Sequence, residues 1–196
     1  MDKMMLMFFF FCVICTCSFS TLLHLLTCHS EKVSQMAARL DYAGITLSIS
    51  GGVICFEYFA LYCQSDLKLP YIISTTIVGI ICLVFQTKEI GEAGRKTRAA
   101  TFLLFGLCVL IPLGHGLSLG LDFMDSKSTT YLVCMAIFYF AAIFFYVSHI
   151  PEVWYPKRYD FWFNSHQYLH VCTLFAAYFE YLTFYQMAFY QNSICE

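Results

Sequence analysis

Five side chains able to do chemistry stand near the ends of apolar runs. Ser20 and His24 lie four residues apart near the end of the first run, Asp41 opens the second, and His166 and His170, again four apart, open the last. Residues i and i+4 stack on one helix face. His166 and His170 can therefore offer two nitrogens to one ion, and Ser20 shares a face with His24. Three imidazoles and a carboxylate at one membrane depth make a zinc site with a spare acid. A His₃ set leaves a fourth tetrahedral position open for water, the catalytic pattern rather than the structural one, and zinc brings that water's pKa toward ~7. Metal-assisted hydrolysis is the chemistry this set suits, with His24, His166 and His170 as ligands and Asp41 and Ser20 as catalytic groups.

The string His166-Gln167-Tyr168-Leu169-His170 departs from the metalloprotease helix motif, which carries Glu after its first His. Gln167 cannot accept a proton, so Asp41 is the candidate base. Ser20 can hydrogen-bond the same water or back-bond its own helix. The competing reading is a set of interfacial histidines with a helix-capping aspartate. The cost of ionisable groups in a membrane favours the metal.

The elements that must position these residues are membrane spans. The chain is 60% hydrophobic and 12% charged, with mean hydropathy +0.68, whereas soluble domains carry about 25% charge. Six runs approach the ~20 apolar residues a bilayer requires: 4–27, 42–63, 70–86, 99–121, 131–150 and 168–188. Short polar connectors predict antiparallel neighbours and an all-α integral membrane helical bundle, one transmembrane domain over 1–196. Net charge −2 and the absence of any soluble domain give no reason to expect a nucleic-acid partner.

Orientation follows from the basic residues. Lys32, Arg39, Lys88, Arg95, Lys96, Arg98, Lys157 and Arg158 fall on one side, and Lys3, Lys68 and Lys127 on the other. The richer side faces the cytoplasm. The five site residues then share that face, although they played no part in setting the topology. The opening Met1-Asp2-Lys3 and its apolar run also fit a signal peptide cut near Cys17. Most of the eleven cysteines lie in apolar runs and read as packing residues. Cys12, Cys15 and Cys17 face different sides of a helix. Cys63 and Cys195 are the one plausible outer disulfide pair. Pro112 should kink the fourth span near His115. His149 is a reserve ligand and His29 a solvated residue. Glu57 and Glu180, inside spans, should face a cavity or a partner.

Longer strings carry a resemblance. They include Ser20-x-x-x-His24, Cys28-His29-Ser30-Glu31-Lys32-Val33-Ser34, Leu40-Asp41-Tyr42-x-Gly44-Ile45, Thr97-Arg98-Ala99, Ile150-Pro151-Glu152 and Phe161-Trp162-Phe163-x-Ser165-His166-Gln167-x-x-His170-Val171. From about Ser18 to Val171 the chain resembles the progestin and adipoQ receptor family of the hemolysin III-like superfamily, most closely its adiponectin receptor branch. The resemblance implies a seven-helix fold, of which six spans are counted here. The run 4–27 aligns with the family's second span, which reads as an absent first span. Glu57 and Glu180 depart from the family pattern.

The resemblance also implies Zn2+ on His24, His166 and His170 beside Asp41. It implies hydrolysis of ceramide-type lipid amides to sphingosine and fatty acid, response to an extracellular protein hormone, and signalling toward lipid and energy metabolism from the plasma membrane. The alternatives are a receptor in which zinc is purely structural and a truncated member without function. A homo-oligomer is compatible with either, and a channel or transporter lacks support because no repeated broken helices or charge rings occur.

Overall fold

The computed structural model describes residues 3–86, 94–159 and 161–194; Lys88 of the charge count and Cys195 of the expected disulfide lie outside them. All regular structure among the described residues is helical. The order is α1 (Lys3–Leu26), α2 (Glu31–Ala60), α3 (Ser65–Gln86), α4 (Arg95–Leu107), α5 (Leu110–Ser118), α6 (Ser126–Ser148) and α7 (Ser165–Ile194). Five segments are long and apolar enough to cross a bilayer: α1, α2, α3, the α4–α5 pair and α6. The chain is an all-α, multi-pass membrane protein. α7 covers the sixth expected run but is not among those five; His166, Gln167, His170, Glu180 and Gln186 dilute its hydropathy.

Two of the expected boundaries shift. α2 begins at Ser30, whose hydroxyl accepts from the Val33 amide, so Asp41 lies well inside a helix and does not cap one. α3 begins at Ser65, ahead of Pro70. Proline is tolerated there because the carbonyl it leaves unpaired lies in the helix's first turn, near the end of the span. Pro112 acts as expected. It cannot donate to the Cys108 carbonyl four residues back, and the fourth span divides at Cys108 and Val109 into α4 and α5.

The chain forms two compact units, Met1–Phe123 with Met187–Glu196, and Met124–Gln186. In the first, α2 is the most enclosed helix, and its small residues let α1 approach. A Cβ on Gly44 would meet the Thr16 Cα at 3.0 Å and Phe19 Cδ2 at 3.1 Å, and one on Gly51 would meet Cys12 Sγ at 2.7 Å. The Thr16 hydroxyl donates across the seam to the Gly44 carbonyl at 2.7 Å, and the Cys55 thiol donates to the Met5 carbonyl at 3.4 Å. Small residues are what helix seams in lipid require, because dispersion contacts and interhelical hydrogen bonds replace the hydrophobic drive. The inward face of α3 (Thr75, Gly79, Cys82, Gln86) is likewise small or polar, while Ile73, Ile77, Ile80, Ile81, Val84 and Phe85 face outward. Phe9, Phe56, Phe59 and Phe105 fill the interior, with Phe123 edge-on to Phe56.

The second unit is an antiparallel pairing of α6 with α7 as far as Gln186. Phe138 stacks on Phe175 and Phe179, and Phe145 on Tyr168. The Asp125 carboxylate caps α6 through the Ser128 amide at 2.9 Å and accepts from the Gln186 amide at 2.8 Å. Both buried glutamates have partners on a neighbouring helix of their own unit, as their cost in lipid demands. Glu57 accepts from the Thr75 hydroxyl at 2.6 Å, and Glu180 accepts from the Tyr139 hydroxyl at 2.7 Å.

Gly44→Ala should destabilise the protein by about 1–3 kcal/mol, because the methyl group meets helix backbone that cannot swing aside. Gly106→Ala, with open space around it, should be neutral or gain up to ~1 kcal/mol. Thermal unfolding in mild detergent checks both, with a lower Tm for the first variant only.

Candidate metal centre

The α1–α2 seam sets up the first half of the site. Cys12, Thr16, Ser20 and His24 recur every four residues along α1 and so fall in one stripe. Cys12 meets Gly51 and Thr16 meets Gly44; one turn further along, Ser20 meets Asp41. The Ser20 hydroxyl is hydrogen-bonded to the Asp41 carboxylate, and the His24 imidazole interacts with it electrostatically. Asp41 is half-buried and His24 exposed. Beside Asp41, the Tyr42 ring lies under the Arg98 guanidinium, 4.7 Å from ring centroid to cation. The motif residues Asp41-Tyr42 and Arg98 thus meet at the same end of the first unit.

The second pair of expected ligands stands on the first two turns of α7. His166 and His170 bring their Nε2 atoms to 3.1 Å, with ring planes at 90°. Two nitrogens bound to one tetrahedral zinc at about 2.0–2.1 Å would stand about 3.3 Å apart. The pair therefore holds nearly the spacing of a two-point chelate, and the same distance suits an N–H···N hydrogen bond. Each of the three expected ligands, His24 on α1 and His166 and His170 on α7, offers one ring nitrogen.

The helix start beneath the pair is held by residues whose role was not read from the sequence. Asn164 Oδ1 accepts from the Gln167 amide at 2.9 Å, making Asn164 the N-cap. Gln167 reaches back, accepting from the Phe163 amide at 2.7 Å and donating to the Phe161 carbonyl at 2.9 Å. This reciprocal arrangement is a variant of the capping box, so Gln167 has a helix-start task at the position where a protease would carry its base. Glu152 completes it. Its Oε2 accepts from the Ser165 amide at 2.8 Å and its Oε1 from the Ser165 hydroxyl at 2.6 Å. The signal for this was present in the Asn164-x-x-Gln167 spacing. The partnership of Glu152 with Ser165, thirteen residues on, had no local signature.

The remaining histidines lie elsewhere. His115 pairs with the Tyr71 hydroxyl at 2.7 Å between α3 and α5. His29 is exposed beside Ser30. His149 caps α6 in the left-handed conformation, φ 52°, and interacts electrostatically with the Glu152 carboxylate.

Glu152 is partly desolvated, which raises its pKa. The hydrogen bonds from the Ser165 side chain and from the Glu152 and Ser165 amides, with the charge of His149, outweigh that and hold the carboxyl below its ordinary value of 4.5. A depressed folded-state pKa contributes stability that is fully present above the unfolded value and lost as pH falls through the folded one. The wild type should therefore lose this contribution progressively below about pH 4.5. Glu152→Gln should cost about 1 kcal/mol at pH 7, modest because water screens a half-buried carboxylate, with the gap to wild type closing in acid. Denaturation followed from pH 7 to pH 3 in mild detergent reads both.

Residues 1–181 match the family described as Haemolysin-III related. The chain is 33% identical over 188 residues to the adiponectin receptor protein of Drosophila melanogaster, covering 94% of this chain and 42% of that protein. It is 33% identical over 193 residues to progestin and adipoQ receptor-like protein 1 of Caenorhabditis elegans, covering 96% and 44%. It is 34% identical over 169 residues to heptahelical transmembrane protein 3 of Arabidopsis thaliana, covering 85% and 48%. The chain thus spans less than half the length of these relatives.

Proposed function

We propose, from the premise that this chain belongs to the haemolysin-III-related family, that it is a receptor-type membrane protein whose three histidines hold zinc and whose site hydrolyses ceramide-type lipid amides. The observation that carries the reading is the paired geometry of His166 and His170, whose Nε2 atoms stand 3.1 Å apart. His24 is the third imidazole of the proposed ligand set. The donor set fits the ion: three neutral nitrogens with a carboxylate nearby suit zinc, whereas calcium and magnesium call for oxygen. A zinc ion held by these histidines would supply Lewis acidity toward an amide carbonyl.

The chain's own residues do the rest. In this reading Asp41 takes a proton from an attacking water and later returns it to the departing amine. The Ser20 hydroxyl, bonded to Asp41, fixes the orientation of that carboxylate. Glu152, Asn164 and Gln167 act through the helix start and are positioning residues. A lipid substrate suits a site at one end of membrane helices, because an acyl chain can reach it sideways from the leaflet.

The topology belongs to the same proposal: six crossings, plasma membrane, and the site toward the cytoplasm. The bias of Lys and Arg supports that orientation. So does Cys63, in the connector between α2 and α3, which is disulfide-bonded, since disulfides persist in oxidising compartments. The receptor names of relatives in fly and nematode support a receptor role, and an extracellular protein hormone as partner and signalling toward lipid metabolism complete the proposal. A receptor with purely structural zinc is the second reading, and it shares the same histidines.

Purified wild type should carry about one zinc per chain by elemental mass spectrometry, as expected of a single His₃ site, and His166→Ala/His170→Ala should carry almost none. Asp41→Ala should keep its zinc and lose at least 10²-fold in ceramide turnover, the usual scale of a missing general base. A zinc-free, well-folded wild type overturns the metal reading. Full zinc with unchanged lipid turnover in Asp41→Ala leaves the structural-zinc receptor.

A further inference from the structure

The connector between α6 and α7 is an unusual loop for one exposed to water. Phe161 is 86% exposed, Trp162 75% and Trp154 65%, and Val153, Tyr155 and Phe163 are exposed beside them. Large aromatics are rarely left uncovered in such numbers on a soluble surface. The Arg158 guanidinium lies over the rings of Tyr155 and Tyr159 at 5.9 and 5.7 Å. Trp, Tyr and a cation on one short segment next to a membrane-crossing helix are the composition of the bilayer's headgroup boundary, where an apolar ring body and a polar tip are both satisfied. In sequence, Glu152 and Asp160 balance Lys157 and Arg158, so the composition does not select an anionic lipid in particular. It suits the phospholipid interface itself.

The loop is also bolted to the helix that carries two of the histidines. Glu152 at its start holds the amide and hydroxyl of Ser165. At its end, Gln167 holds the backbone of Phe161 and Phe163. Aromatic side chains and capping bonds thus alternate on one stretch, and the outward rings and inward bonds leave the segment little freedom to turn over.

We propose that residues 153–159 and 161–163 form an aromatic foot seated in the headgroup region of the bilayer, and that this foot, through Glu152 and Gln167, sets the depth and order of the first two turns of α7, which bear His166 and His170. The inference rests on the reading of α6 and α7 as consecutive crossings. The interface acts as a partner of the site: lipid contact stiffens the ligand-bearing turn, and loss of contact loosens it.

The chain has only two tryptophans, Trp154 and Trp162, so its indole emission reports this loop alone. The unaltered chain is reconstituted in phosphatidylcholine bilayers with bromine at a shallow or a deep acyl position. Shallow bromine should remove roughly half the emission and deep bromine much less, with weak quenching by aqueous acrylamide. Strong acrylamide quenching with none by bromine would place the loop in water or against a soluble partner and overturn the foot, as would stronger quenching by deep bromine. Hydrogen exchange then tests the coupling. In Phe161→Ser/Trp162→Ser, the Ser165 and Gln167 amides should exchange several-fold faster while those of mid-α6 stay as in wild type. Unchanged exchange at Ser165 and Gln167 would break the link between foot and histidines. Neither measurement needs metal, so absence of zinc would sink the proposed chemistry and leave this inference standing.

Discussion

The close approach of α1 and α2 governs much of what the first unit can do. Gly44 and Gly51 remove the side chains that would hold the helices apart, and the Thr16 hydroxyl ties the seam to the Gly44 carbonyl. Seven residues separate the two glycines, two helical turns, so both fall on the seam. The same register carries Ser20 to Asp41 and brings His24 near it. A wider seam would leave the carboxylate without its hydroxyl partner and its imidazole neighbour. The polar chemistry at this end therefore depends on packing a turn or two away, and that packing depends on having almost no side chain at two positions.

The second unit solves a different problem. A helix that begins with His166 must satisfy its first amides without disturbing the imidazoles, since helix starts leave N–H groups unpaired. Glu152, Asn164 and Gln167 divide this task. Each binds backbone at the helix start, and none competes for the histidine nitrogens. The aromatic stack of Phe138 with Phe175 and Phe179 holds the rest of α7 against α6, so the capped turn projects from a fixed stem. Exposed rings on the connector extend the same rigid start outward. The two units follow different packing logic, small residues along the seam of one and stacked rings in the other.

Buried carboxylates in spans are often read as site residues, and here both turn out to have local partners. Glu57 and Glu180 accept hydroxyls from Thr75 and Tyr139. Such bonds link neighbouring helices and ease the cost of burial in lipid. They engage both carboxylates within their own units.

Apolar run lengths, connector charges and the i, i+4 spacings of Ser20 with His24 and of His166 with His170 were legible in the sequence, because each follows from helix geometry and bilayer thickness alone. The break at Cys108 was legible too, since a proline's effect reaches a fixed four residues back. The start of α2 at Ser30 was not. Glu31, Lys32, Ser34, Gln35 and Arg39 interrupt the apolar pattern, and a hydropathy reading stops where a hydrogen-bonded backbone continues. That misplaced end made Asp41 look like a cap. Gln167 looked like a lost base because its bonds to Phe161 and Phe163 depend on how the chain turns into α7. The partnership of Glu152 with Ser165 and the meeting of Ser20 with Asp41 join positions thirteen and twenty-one residues apart. Local periodicity determines which face of a helix a residue occupies; only tertiary packing decides which other face it meets, because that depends on side-chain volumes summed along a whole seam.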